Sequence, residues 1–189
     1  MGASVAKHGR DHCPGGEDPI PCLSDGTDYA FMQWNGPEAV TVNTLSNPAV
    51  LGTPDVPYAE GFSIDLGVFD GGVDLTGGVI QSDNNGGWFL AEAWAQFNGG
   101  ATVGSQLGVV LDFGTSSIFS TYRVGNSIIA NAINEVFRIP VSRTWQRFGD
   151  FNHDSVRLLV WHDDAGGQDL NSAWLSVTYL SSSYDGTFV

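Results

Sequence analysis

From Tyr29 onward the apolar residues come in short runs divided by glycine, asparagine and aspartate, and in the clearest runs they alternate. In GGWFLAEAWAQFNGG (86–100), Phe89, Ala91, Ala93, Ala95 and Phe97 fall on one face of an extended chain. Trp88, Leu90, Glu92, Trp94 and Gln96 fall on the other. Both faces are largely apolar, so the pattern predicts a strand inside a sandwich whose outer face meets another subunit. Further strands are expected at 29–34, 39–44, 62–69, 73–80, 103–113, 117–124, 133–141, 144–148, 155–162 and 172–180. NSIIANAINEVF (126–137) has an ambiguous period that allows one helical turn. About ten short strands with no long helix predict an all-β jelly-roll sandwich. Aromatic and β-branched residues dominate the apolar runs while Lys and Glu are scarce, which favours the same class. No internal repeat points to a propeller or solenoid.

The first 27 residues read differently. DHCPGGEDPIPCL (11–23) packs two cysteines, three prolines and a Gly-Gly pair together, so neither helix nor strand runs through it. The predicted organisation is an extended N-terminal arm at 1–27 and a head domain at 28–189. Pro14, Pro19 and Pro21 hold the arm extended, and Gly15-Gly16 lets it turn close to a neighbouring backbone. A head of this size buries roughly 70% of its unfolded surface, so it needs no covalent staple. The N-terminus lacks the apolar run of a secretory signal, and no segment approaches the roughly 20 apolar residues of a membrane span.

Net charge is −14, and no Lys or Arg lies between Arg10 and Arg123. Nucleic-acid binding needs the opposite sign and is excluded as an expectation.

Two stretches carry resemblances. HGRDHCPGGEDPI (8–20) resembles the His-x-x-x-His-x-x-Gly-Gly-x-Asp-Pro-Ile motif of tail-fibre and other virion proteins of tailed bacteriophages. His8, His12, Gly15, Gly16, Asp18, Pro19 and Ile20 occupy the matching positions; Cys13 and Cys22 depart from it. Over roughly residues 60–180, GWFLAEAWAQF and DSVRLLVWHDDAGGQDLNSAWLSVTYL are similar to the strands of tumour-necrosis-factor-like and complement-type globular heads. That resemblance implies a jelly-roll homotrimer. Together the two imply a virion surface protein, with a docking arm (His8, His12, Pro14, Gly15, Gly16, Asp18, Pro19, Ile20) and a trimeric head. Trp88, Leu90, Trp94 and Trp174 are the expected subunit interface.

Candidate chemistry is sparse. His8, His12, Cys13 and Cys22 are four potential zinc ligands, but H-x-x-x-H-C-x8-C is not a standard zinc spacing. A Cys13–Cys22 disulfide is sterically feasible, with free thiols the default for cytosolic assembly. Acidic loops at 25–28, 69–74 and 162–169 raise calcium, with Asp163, Asp164 and Asp169 as ligands, although Asp and Gly suit turns without any ion. The expectation is no metal and no cofactor. No nucleophile elbow, zincin motif or P-loop is present. Glu92 is the best candidate carboxylate for glycoside chemistry, but the favoured expectation pairs it with an arginine such as Arg123 or Arg157, within the chain or across a subunit interface. Trp88, Trp94, Trp161 and Trp174 form a candidate sugar-stacking platform for a host-surface glycan. The expected function is a non-enzymatic virion structural protein, a minor tail or tail-fibre protein that contacts the host. A capsid decoration or head-fibre protein and a free carbohydrate-binding jelly roll are the alternatives. The expected location is the virion, assembled in a bacterial cytoplasm.

Overall fold

A computed structural model describes residues 28–40, 48–66, 77–82, 87–115, 118–131, 136–146 and 154–181. The strands in chain order are β1 (Tyr29–Val40), β2 (Ala49–Val50), β3 (Val56–Glu60), β4 (Phe62–Asp65) and β5 (Val79–Ser82). They continue with β6 (Trp88–Phe97), β7 (Gln106–Thr115), β8 (Ile118–Ile129), β9 (Phe137–Gln146), β10 (Ser155–His162) and β11 (Gln168–Ser181). The described residues contain no helix. Two antiparallel sheets result: β3-β1-β11-β6-β9, and β4-β5-β10-β7-β8 with β2 also paired to β10. This is the all-β jelly roll that the alternation predicts.

The core lies between the sheets and follows the alternation residue by residue. Phe89, Ala91, Ala93, Ala95 and Phe97 of β6 are buried against Leu107, Val109, Leu111 and Phe113 of β7 and Val156, Leu158 and Val160 of β10. Each fully buried large apolar side chain stabilises the fold by roughly 1.5–3 kcal/mol. Aromatic rings close the core near the start of β6, where Phe89 contacts Phe62, Trp145 and Tyr179 at centroid distances of 5.9, 5.2 and 5.3 Å.

Several strand boundaries differ from expectation for identifiable reasons. The expected strands 29–34 and 39–44 are joined through Val40. A bulge between Asn35 and Glu38, with Gly36 at φ 97°, absorbs the irregularity without ending the ladder. Residues 41–44 lie outside the described residues, as do 67–69 and 73–76. The expected strands 133–141 and 144–148 are one strand, β9. Pro140 is tolerated within it because β9 is the edge of its sheet. β7 starts at Gln106 rather than 103, because Ala101–Ser105 form a hydrogen-bonded loop. The short strands β2 and β3 have no counterpart in the sequence reading. In 126–137, Asn126–Ile129 continue β8 and Val136 leads into β9, so the described part holds no helical turn.

The outer face of the second sheet holds a buried charge cluster. Asp112 Oδ1 accepts from Arg123 Nε at 3.0 Å, and Asp112 Oδ2 accepts from Arg157 Nε at 2.9 Å and Arg157 Nη2 at 2.8 Å. The three residues sit on one cross-strand row through β8, β7 and β10. On the same face, beyond the Val110–Leu159 pair, the Trp161 indole lies over Gly108, where a Cβ would collide with the ring. Replacing Asp112 by Ala removes the acceptor shared by both guanidiniums and should cost about 3 kcal/mol in urea unfolding. A loss under about 1 kcal/mol would show that this cluster does not hold the sheet together.

Candidate functional site

The pairing register assembles one continuous outer face on the first sheet. Trp94 stands opposite Trp174 on one side and Pro140 on the other. Leu90 stands opposite Thr178 and Thr144, and Glu92 opposite Ser176 and Ser142. β1 and β3 extend the rows, with Gln33 beside Trp174, Phe31 between Ser176 and Tyr58, and Tyr29 between Thr178 and Glu60. Trp88 joins this face beyond a bulge at Tyr179/Ser181. The four expected interface residues, Trp88, Leu90, Trp94 and Trp174, therefore share one face and are all half-buried.

Phe31 and Tyr58 add an aromatic pair that the sequence reading did not place there. Their rings stack at 5.5 Å, and Tyr29 sits 5.8 Å from Phe31. The alternation of YAFMQW carried the signal for Tyr29 and Phe31; Tyr58 lies in a strand interrupted by Pro57. Tyr58 donates its hydroxyl to Glu60 Oε2 at 3.0 Å. That hydrogen bond, with the Glu60 charge behind it, raises the phenol above its ordinary value. Burial raises the Tyr29 phenol too; a Ser176 hydrogen bond opposes this and the charge of Glu92 adds to it. Both hydroxyls stay protonated across the neutral range. Arg138 lays its guanidinium 3.9 Å above the Trp94 ring centroid, a cation–π contact that covers part of that indole. Beside Trp94 and Trp174 a shallow cleft of about 490 Å³ runs past Glu92 and Ser142 to Asn126 on the β8 edge.

Two expectations about this face are corrected. Within the chain Glu92 does not pair with Arg123 or Arg157. Both arginines lie on the outer face of the other sheet, where Asp112 takes them, and Glu92 is exposed between Ser142 and Ser176. The four-tryptophan platform is not assembled either. Trp161 lies on the opposite sheet and is buried over Gly108, so only Trp88, Trp94 and Trp174 share a surface.

The acidic loop after β10 holds hydrogen bonds rather than an open set of metal ligands. Asp164 is buried, and its Oδ2 accepts from the Thr102 amide at 2.6 Å and Gln168 Nε2 at 3.0 Å. Its Oδ1 accepts from Thr102 Oγ1 at 3.0 Å and the Gly166 amide at 2.9 Å. Asp163 Oδ1 accepts from the Gln106 amide at 2.6 Å. Among the described residues no group of three or more His, Cys, Asp or Glu side chains is placed to hold a metal. The arm residues His8, His12, Cys13, Pro14, Gly15, Gly16, Asp18, Pro19, Ile20 and Cys22, and the acidic stretches 25–27 and 69–74, lie outside the described residues.

No family model and no curated protein matches the chain. Solved structures share its fold. Eiger TNF from S. frugiperda superposes with TM-score 0.52 at 11% identity, over 86% of this chain and 98% of that one. The globular domain of zebrafish complement 1qA gives 0.51 at 12% identity, over 84% and 100%. The PRD1 vertex protein P5 gives 0.51 at 14% identity, over 82% and 98%. The chain thus has the tumour-necrosis-factor-like, complement-type jelly-roll fold.

Asp164 sets a pH dependence. Donation from the Thr102 amide, then from Gly166, holds its carboxyl below the ordinary value against the opposing effect of burial, with the Thr102 hydroxyl and Gln168 adding. A depressed folded value gives stability that is present above the ordinary value and lost as pH falls through the lower one, here below about pH 4. Asp164→Ala should cost about 2 kcal/mol at pH 7 in urea unfolding, and the gap to the parent should narrow below pH 4. An equal gap at pH 3 and pH 7 would show that the carboxylate charge is not what holds this loop.

Proposed function

We propose that the chain is a non-enzymatic virion structural protein of a bacteriophage: a homotrimeric head, attached through its N-terminal arm, in a minor tail or tail fibre. The observation that carries this reading is the outer face of the first sheet. Trp88, Leu90, Trp94 and Trp174, joined by Phe31 and Tyr58, place a broad apolar surface on one side of an otherwise acidic chain. Surfaces of that kind mark protein interfaces, and aromatic residues dominate their energetics. The phage PRD1 vertex protein carries the same jelly roll, which supports a virion setting. That protein's name also favours a second reading, in which the head studs a capsid instead of a tail.

In this reading residues 1–27 dock and the head does not. His8, His12, Pro14, Gly15, Gly16, Asp18, Pro19 and Ile20 make the attachment. Three arms on one trimer act through effective concentration, so a weak contact per arm gives durable attachment. A host-surface glycan would use the Trp94–Trp174 side of the cleft only where the trimer leaves it open.

Light scattering at micromolar concentration should return three chains per particle. Trp94→Glu should shift the mass toward one chain, because each interface would then lose an indole and have to bury a carboxylate in its place. A monomeric parent protein would remove the support for a trimeric head. A chain shortened to begin at Asp28 should stay folded and fail to incorporate into virions, and Gly15→Val/Gly16→Val in the full chain should do nearly the same. Normal copy number with either change would place the attachment in the head.

A further inference from the structure

One cross-strand row on the outer face of the first sheet carries opposite charges at its two ends. Arg138 of β9 pairs with Gln96 of β6, Gln96 with Ser172 of β11, and Ser172 with Asn35 of β1. β3 begins at Val56, opposite Gln33, and so stops short of this row. Asp55 takes the place instead. Its amide donates to the Gln33 carbonyl at 2.9 Å, and its Oδ2 accepts from the Asn35 amide at 2.6 Å. The row therefore ends in a guanidinium at the β9 edge and a carboxylate at the β3 edge.

Neither charge is answered within the described residues. Arg138 and Asp55 are both exposed, and neither forms an ion pair there. They do not reach each other, since four strand spacings, about 19 Å, separate the two edges. In a chain with 21 Asp and Glu against 7 Lys and Arg, a guanidinium without a carboxylate partner is a specific arrangement. Both groups are also held in position. Arg138 lies 3.9 Å above the Trp94 centroid, and Asp55 is tied to β1 through its amide and its carboxylate. Groups fixed in this way cost little further ordering when a partner meets them. Beside Asp55, all five residues of β3 are exposed, with Val56 at 42% and Tyr58 at 46%, which leaves apolar surface for that partner to cover.

A head-to-tail contact joins two different patches of one chain, and opposite charges at opposite edges supply such a pair. About a rotation axis along the strands, every cross-strand row keeps its level. The β9 end of a row in one subunit then arrives at the β3 end of the same row in the next. We infer that the β3 edge is occupied by a second copy of this chain, docked head to tail, with Arg138 of one subunit paired to Asp55 of the partner subunit. Each guanidinium is then held between its own Trp94 ring and a carboxylate from the neighbour. The inference rests on the trimeric head proposed above and gives it a direction and a level: three such contacts close the ring.

Light scattering over a dilution series of the full-length protein reads the concentration at which half of the chains are assembled. Arg138→Asp should raise that concentration about tenfold, because Asp would then face Asp55 and like charges repel. Asp55→Arg should do the same. R138D/D55R, which reverses the pair, should return the value to within about threefold of the parent. R138D/E60R should not, because Glu60 lies on the Tyr29 row of the same strand. Thermal unfolding checks that each variant is folded. If Asp55→Arg is not, Asp55→Asn keeps an acceptor for the Asn35 amide and should still raise the value about threefold. A trimeric parent whose assembly Arg138→Asp leaves unchanged, or a reversed pair no better than its single variants, would overturn the pairing and leave the trimeric head standing. Rescue by E60R equal to that by D55R would overturn it too, since net charge and not this row would then set assembly. A parent of one or two chains per particle would overturn the trimeric head itself, and the pairing with it.

Discussion

A strand presents two faces, and in Trp88–Phe97 neither suits water; the architecture of this head follows from where each is buried. The inner face alternates small and large, with Phe89 and Phe97 at the ends and Ala91, Ala93 and Ala95 between them. Three alanines in the middle let the facing side chains of β7 and β10 reach in, so Leu111, Phe113 and Leu158 fill space that larger β6 residues would occupy. The phenylalanines then close the two ends. The outer face is left with indoles and a leucine that the monomer only half covers. The packed core and the half-covered aromatic surface are therefore opposite faces of one strand, fixed together by its register. A slip of one residue would exchange them, putting Trp94 into a space shaped for alanine.

The second sheet solves a different problem with a different device. Its outer face carries Asp112, Arg123 and Arg157 on one row and Gly108 beneath Trp161 on another, with Val110 and Leu159 on the row between them. Burying a carboxylate is costly unless charged donors meet it, and Asp112 meets two guanidiniums through its two oxygens. The pairing depends on register, because only alignment of β8, β7 and β10 puts all three residues on one line. Charge thus specifies strand order in the sheet whose outer face lacks the aromatic surface of the first.

The alternation made most of the jelly roll legible. β6 and β10 carry the bounds their patterns give, because Gly pairs frame the first and each residue of both has a clear face. The strands that were misread share a cause: a local break signal that tertiary pairing overrides. Gly36-Pro37 falls in the gap between the expected strands 29–34 and 39–44 yet sits in a bulge, and Ser142 and Arg143, in the gap between 133–141 and 144–148, pair with Glu92 and Ala91 of β6. The arginine partners were misassigned for a topological reason. Glu92 and Arg157 are both mid-strand, and no local pattern says that β6 and β10 belong to different sheets. The same gap explains Trp161, whose spacing suits a shared platform although its strand faces the other way.

The acidic composition acquires a structural meaning where β10 gives way to β11. Asp163 and Asp164 follow β10, where a turn needs short polar side chains, and an acidic turn is normally a solvated one. Here both carboxylates reach across to the β6–β7 connection and accept its amides, Asp163 from Gln106 and Asp164 from Thr102. The two connections, each running from one sheet to the other, are thereby tied together, and the Asp163 amide adds a backbone bond to the Gln106 carbonyl at 3.1 Å. His162 adds a third tie, its Nε2 donating to the Val40 carbonyl at 2.8 Å from inside the core. The short acidic side chains that give this turn its negative charge thus also fix how the β6–β7 and β10–β11 connections meet.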